Sequence, residues 1–377
     1  MSATPSTPKG SILTTSGWVS GTVSIGKDGR IAAIEGKLLY EGAALEPPFI
    51  VPGYIDLHVH GGHGHECMSG ETGVRKTLAY HASHGTVAMT PSTVTAPVEV
   101  IESALTDIVN VQKKQQAGES AVLGAHLEGP FINPGRLGAQ APYPHAGEAS
   151  LAEDWAKRFP IVVATVAPEI VGGMDVIKVF AEHRCRVQVG HTLASQEQVD
   201  NAFACGCTGF THLFNAMSGV SHRAPGVATW ALAHAEYAEI IADLNHIHPQ
   251  VILMARRAIP KLYTVTDASA AAGMPDGEYM LGDRKVIKRG MKVVLKEQED
   301  TLASSVITLA DAVRNLVSIG LPLAEAVAMA STRPADYLGL DDLGRIKPGA
   351  RASMVQLDGQ LQVRGVWIDG EGIDVAA

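Results

Sequence analysis

Between residues 50 and 268 the chain repeats one pattern about eight times. A short apolar, β-branched run ends in a polar or Gly/Pro-containing segment, and helix-compatible sequence usually follows. The runs are Ile50–His60, Thr86–Ser92, Ala121–Glu128, Ile161–Pro168, Arg186–His191, Thr208–Asn215, Glu239–His246 and Lys261–Asp267. Pro97–Gln116, with a proline at its start, Gly173–His183, and Ser195–Ala204, with Ser195 as N-cap, read as helices between them. Nearly all-apolar strands that alternate with helices belong to a parallel sheet buried on both faces. Eight such units in roughly 220 residues fit a closed, TIM-type (β/α)8 barrel better than an open doubly wound sheet. No G-x-G-x-x-G follows the first run, which counts against dinucleotide binding. The expected class is therefore α/β.

The two ends of the chain read differently. Trp18–Ile25 and Arg30–Ile34 are short strand-like pieces broken at Lys27-Asp28-Gly29, and Ala352–Leu357 and Leu361–Ile368 repeat the style with turns at Asp358-Gly359 and Asp369-Gly370. Neither end alone has enough strands to bury a face, so residues 1–49 and 341–377 are expected to pair into one small β-sandwich domain beside a barrel of residues 50–340. Two helices, Leu302–Ile319 and Pro322–Leu338, are expected to close the barrel.

Apolar residues make up 46% and charged residues 18%, the balance of a chain with a large core rather than a disordered one. The net charge of −9 argues against general nucleic-acid binding but leaves room for a local basic pocket. No run approaches the length of a membrane span. Residues 1–10 are rich in Ser, Thr and Pro without an apolar h-region, so they do not read as a secretory signal. Cys67, Cys185, Cys205 and Cys207 lack zinc-ribbon spacing, and they are expected to be reduced thiols in a cytoplasmic protein.

Chemistry concentrates where the runs end. His58 and His60 lie two apart, so a strand sends both side chains to one face, and His126 and Glu128 repeat this on the third run. The fifth, sixth, seventh and eighth runs end near His191, His212, His246 and Asp267. In such barrels the C-terminal strand ends surround one mouth, where catalytic groups sit. Imidazoles and carboxylates converging there form a ligand set for Zn²⁺ or Fe²⁺, and buried carboxylates without cationic partners need a metal. Glu128 could bridge two metals, one with His58, His60 and Asp267, the other with His191 and His212. His63 and His65, in the loop Gly61–His65, read as structural. A metal so placed lowers the pKa of bound water toward ~7 and polarises a carbonyl. Asp267 can take a proton from that water and return it to a leaving amine. Metal-assisted hydrolysis of an amide-like bond is the direct reading, and a non-haem oxygenase explains six candidate ligands less well. Arg223, on the Gly/Pro-bounded loop after His212, can bind phosphate or carboxylate bidentately, although it also reads as a solvated surface arginine.

These residues sit in motifs that resemble the amidohydrolase superfamily and, within it, the N-acetylglucosamine-6-phosphate deacetylases. The motifs are residues 52–62 (Pro-Gly-Tyr-Ile-Asp-Leu-His-Val-His-Gly-Gly), His126-Leu127-Glu128-Gly129-Pro130-Phe131, Gly190-His191-Thr192, Thr211-His212-Leu213-Phe214-Asn215-Ala216-Met217, Ile241-Ala242-Asp243, Thr266-Asp267-Ala268 and Leu343-Gly344-Arg345-Ile346-Lys347-Pro348-Gly349. The likeness runs from about residue 18 to the end. It implies deacetylation of N-acetylglucosamine 6-phosphate to glucosamine 6-phosphate and acetate. It also implies a principal metal on Glu128, His191 and His212, a second allowed by His58 and His60, and Asp267 as general base and acid. Zn²⁺ is the first choice, with Fe²⁺ or Mn²⁺ as alternatives. Asn215, Ala216, Arg223 and His246 match sugar-phosphate contacts that the family completes across a homodimer interface. Related cyclic amidohydrolases use a carboxylated lysine on the fourth strand, but Ile161–Glu169 contains none.

Two positions depart from the family pattern. A histidine usually stands twelve residues after the bridging Glu, where it helps to hold the substrate carbonyl; here Gln140 occupies that place in Gly138-Ala139-Gln140. Gln140 can donate a hydrogen bond but carries no positive charge, and His145 is the other imidazole in this loop. The usual Leu-Ala-Gly-Ser becomes Leu302-Ala303-Ser304-Ser305. Both changes face the expected sugar and acyl group, so N-acetylgalactosamine 6-phosphate or another N-acyl amine is the alternative substrate. A cyclic amide hydrolase and a barrel without catalysis are the remaining readings.

Overall fold

The computed structural model describes residues 7–40 and 42–375; much of the N-terminal segment read for a leader lies outside them. Eight parallel strands form the barrel: Tyr54–Val59, Thr86–Pro91, Ala125–Glu128, Ile161–Val166, Arg186–Val189, Cys207–Phe210, Tyr237–Ile241 and Lys261–Val265. Ladders join the first strand to the second, the third through to the sixth, and the seventh to the eighth. A bridge between Ser92 and His126 links the second to the third. The Leu213 amide donates to the Glu239 carbonyl at 2.9 Å between the sixth and seventh. The barrel closes where the Asp267 amide donates to the His58 carbonyl at 2.8 Å and Val59 bridges Ala268.

The first strand displays the period-two rule. Ile55 and Leu57 pack outward with Tyr337 and Leu343, and the alternate residues Asp56 and His58 are left for the interior. The expected run Ile50–His60 is divided at Gly53. Phe49–Pro52 belongs to the small sheet, antiparallel to Met354–Leu357 and parallel to Lys9–Thr14, so the passage into the barrel lies at Gly53 rather than between residues 49 and 50. A Cβ at Gly53 would lie 2.3 Å from Val87 Cγ1, so only glycine fits this close approach. The small sheet has seven strands drawn from both chain ends, in the order Glu371–Ile373, Val363–Ile368, Met354–Leu357, Phe49–Pro52, Lys9–Thr14, Gly17–Ile25, Ile31–Leu38.

Helices Val98–Lys113, Gly173–Glu182 and Gln196–Ala204 lie where expected, the last with a capping box between Ser195 and Gln198. The closing helices need correction. The first spans Leu309–Ser318, because Thr308 caps it in a box with Asp311. The second is two helices, Leu323–Ala330 and Thr332–Leu338. Pro334 lacks the N–H that a continuous helix would direct to the Ala330 carbonyl, and the chain breaks at Ser331. Sequence reading missed an antiparallel meander altogether: Gly277–Leu281, Arg284–Arg289, Lys292–Leu295 and Gln298–Leu302, inserted after the eighth barrel strand.

Candidate active site

Glu128, the last residue of the third strand, is buried at the centre of the barrel mouth. Its Oε1 lies 3.0 Å from His212 Nε2, 3.2 Å from His191 Nε2 and 3.4 Å from His58 Nε2. Its Oε2 lies 3.2 Å from His60 Nε2. Asp267 Oδ1 stands 3.1 Å from His60 Nε2 and 3.6 Å from His58 Nε2. Three groups of possible ligand atoms result, His58 with His60 and Asp267, Glu128 with His191 and His212, and His58 with His126 and Glu239, of which the first two face the mouth. His191, His212 and Asp267 adopt left-handed backbone, with φ of 47°, 28° and 49°. Such strain in non-glycine residues concentrates at functional sites, and here it turns side chains at the strand ends into the mouth.

The donor chemistry fits a divalent metal. His191 Nδ1 lies 2.8 Å from the Arg136 carbonyl, and His58 Nδ1 lies 3.1 Å from Glu239 Oε2. Each acceptor takes a proton from Nδ1, so in the neutral rings each Nε2 presents a lone pair to the centre. The Nε2 atoms of His58 and His60 are 3.1 Å apart, as are those of His191 and His212. Paired nitrogens pointing at one another beside buried carboxylates match the N/O donor set of Zn²⁺ and related cations.

Burial raises the Glu128 carboxyl, but His58, His191 and His212 outweigh it and hold the group well below the usual range. Asp267 is likewise lowered: His58 and His60 overcome the cost of burial. Burial disfavours a charged His58, yet Glu128, Asp267 and Glu239 raise it well above its ordinary value. His126 is driven the other way by burial and by neighbouring His58. Its nitrogens lie 3.2 Å from Ser92 Oγ and 2.9 Å from Thr165 Oγ1, so hydroxyls engage both sides of the ring.

Above these groups lies a cavity of about 250 Å³ that Gln140, Asn215, Ala216, His246 and Ser304 help to line. Gln140 Oε1 accepts from the Thr95 amide at 2.6 Å, and its Nε2 donates to Glu128 Oε2. His246 Nδ1 pairs with Asp243 Oδ2 at 2.8 Å; Asp243 outweighs burial and raises the imidazole. Arg223 is exposed and outside this lining. His63 stacks on Tyr80 at 5.7 Å, and His145 faces Phe131 at 6.2 Å; neither they nor His65 line the cavity.

A family model described as the amidohydrolase family matches residues 49–373. The chain belongs to the amidohydrolase family. Among amidohydrolase relatives, an N-acetylgalactosamine-6-phosphate deacetylase of Escherichia coli O157:H7 is 38% identical, with 96% of this chain and 97% of that one covered. An N-acetylglucosamine-6-phosphate deacetylase of Vibrio furnissii is 36% identical over 94% and 91% of the two chains. A mutant N-acetyl-D-glucosamine-6-phosphate deacetylase of Mycobacterium smegmatis, solved in complex with N-acetyl-D-glucosamine-6-phosphate, superposes with a TM-score of 0.88 at 30% identity. The superposition covers 98% of each chain.

Two parts of the amidohydrolase mouth escaped sequence reading. Asp300, Thr301 and Leu302, at the end of the missed meander, line the cavity. Glu239, fully buried on the seventh strand, touches His58. A lone carboxylate inside the apolar run Tyr237–Ile241 was its available signal.

Proposed function

We propose that the chain hydrolyses the acetyl amide of N-acetylglucosamine 6-phosphate, giving glucosamine 6-phosphate and acetate. The observation that carries this reading is Glu128 set between two imidazole pairs, with Asp267 at their edge and a polar cavity above. One or two divalent cations, Zn²⁺ first and Fe²⁺ or Mn²⁺ as alternatives, would be held by His58, His60, Glu128, His191, His212 and Asp267. When bound, the metal supplies Lewis-acid activation of water and of the acyl carbonyl. Asp267, lowered into its carboxylate form, accepts a proton from the attacking water and delivers it to the amine nitrogen as the C–N bond breaks. Gln140 holds Glu128 and presents its amide beside the acyl group. Asn215, the backbone at Ala216 and His246 bind the sugar phosphate.

Arg223 lies outside the lining of its own subunit's cavity, which agrees with its serving the phosphate of a second copy in a homodimer. No helix among the described residues is long and apolar enough to cross a membrane, and a cytoplasmic location goes with a phosphorylated-sugar substrate.

The E. coli relative, and Gln140 where the resemblance expects a histidine, favour a second substrate, N-acetylgalactosamine 6-phosphate. The test is acetate release from both sugar phosphates and from the unphosphorylated sugars. Rapid release from one phosphorylated sugar supports the reading and selects the epimer. Equal rates with and without phosphate would remove the phosphate pocket, and no acetate from either phosphorylated sugar would overturn the activity.

A further inference from the structure

We propose that Glu239 is a positioning residue that fixes His58 as a metal ligand and sets the affinity of the metal shared by His58, His60 and Asp267. Glu239 is fully buried, and its side-chain partners His58, His212 and Tyr263 stand on or just past the first, sixth and eighth barrel strands. Its Oε2 lies 3.1 Å from His58 Nδ1 and accepts from the His212 amide at 3.2 Å, and its Oε1 accepts from the Tyr263 hydroxyl at 3.3 Å. Burial and the neighbouring Glu239 raise Tyr263 well above its ordinary value, so its hydroxyl remains a donor.

A carboxylate can only accept here, so the Nδ1 of His58 that faces Glu239 keeps its proton, and when the ring binds a metal it is Nε2, facing Glu128 and Asp267, that gives up a proton and offers the lone pair. The His126 ring crosses His58 at 82° with centroids 4.4 Å apart and blocks a flip of that ring. Ser92 and Thr165 engage both His126 nitrogens, so His58, His126 and Glu239 make a supporting layer rather than a third metal site.

Charge points the same way. Among the described residues, Glu128, Asp267 and Glu239 form ion pairs with histidines alone, never with lysine or arginine. With neutral imidazoles, one dication leaves these three carboxylates net negative, and a second overcompensates. Glu239 thus favours occupancy on the His58 side. His212 depends on it less, because the adjacent Leu213 amide still bonds the backbone carbonyl of residue 239 in any variant.

The inference rests on the metal-dependent reading above, but its test needs no substrate. Metal-stripped wild type, Glu239→Gln and Glu239→Asp would be titrated with Zn²⁺ against a chromophoric chelator, with circular dichroism to establish folding. Gln keeps the volume without the charge, and Asp keeps the charge but falls short of His58. One Zn²⁺ equivalent is expected to weaken about 10- to 100-fold in both variants while the other is retained. Unchanged affinities, or an equal loss at every equivalent, overturn the proposal. If neither variant folds, Tyr263→Phe loosens the same carboxylate and is expected to weaken the same equivalent about 2- to 10-fold; wild-type binding there overturns the proposal as well. Normal Zn²⁺ binding without acetate release would instead count against the deacetylase reading.

Discussion

The side-chain amide of Gln140 donates to Glu128 Oε2, and the Thr95 amide fixes its orientation by donating to Gln140 Oε1 at 2.6 Å. Gln140→Ala leaves a buried backbone N–H and one carboxylate oxygen without this partner. Losing a hydrogen bond to a charged group costs about 1.5–3 kcal/mol, so kcat/KM for acetate release should fall about 10- to 100-fold. Gln140→Glu should lose more, since it sets a second carboxylate against Glu128. Wild-type turnover in Gln140→Ala would sink this role.

Asp267→Asn removes the proposed proton acceptor and keeps the shape of the side chain. Turnover should fall roughly 10²–10⁴-fold while the metal proposed for Glu128, His191 and His212, measured by elemental analysis, is retained. Unchanged turnover removes Asp267 from the proton transfers.

Arg223 gives a test of the second copy. Arg223→Ala should raise KM for the phosphorylated sugar about 10- to 100-fold with little change in kcat. Mixing it with inactive Asp267→Asn protein should restore activity, because a mixed dimer contains one site with an intact Asp267 and the partner's arginine. No gain on mixing would place the arginine's effect within its own subunit or nowhere.

How much of this was legible in the sequence depended on periodicity. His58 and His60 declared their shared face because a strand alternates sides, and His191, His212 and Asp267 each ended an apolar run. Glu239 gave no such signal: it stands alone at an inward position, and its meaning comes from His58, far away in the chain but 3.1 Å away in space. The meander was missed although Gly282-Asp283 and Gly290-Met291 are two-residue turns, because its strands alternate around a half-exposed sheet and carry no chemistry by themselves. Arg223 was placed by motif, and motif cannot say whose cavity a loop serves.

Acid sensitivity should trace in part to His81, fully buried with Nε2 3.0 Å from the Gly61 carbonyl. Burial pushes this imidazole down from 6.5 to about 4. Between those values the unfolded chain binds a proton that the folded chain does not, so stability falls as pH drops through the window. By pH 5 the cost is about 2 kcal/mol relative to neutral pH. His81→Gln keeps a donor for Gly61 and cannot titrate, so its urea midpoint should change less than that of the wild type between about pH 7.5 and pH 5. Identical pH dependence would clear His81.

The place where the barrel closes has a thermodynamic consequence. His58 lies in the first strand, His60 just past its end and Asp267 just past the eighth, so a cation held by all three, as proposed above, would fasten the two margins of the cylinder like a clasp. Its binding free energy is then also folding free energy, about 4 kcal/mol at a thousandfold excess over Kd. Chelation should therefore act first on the seam, and proteases should find the stripped protein there before they find the small sheet.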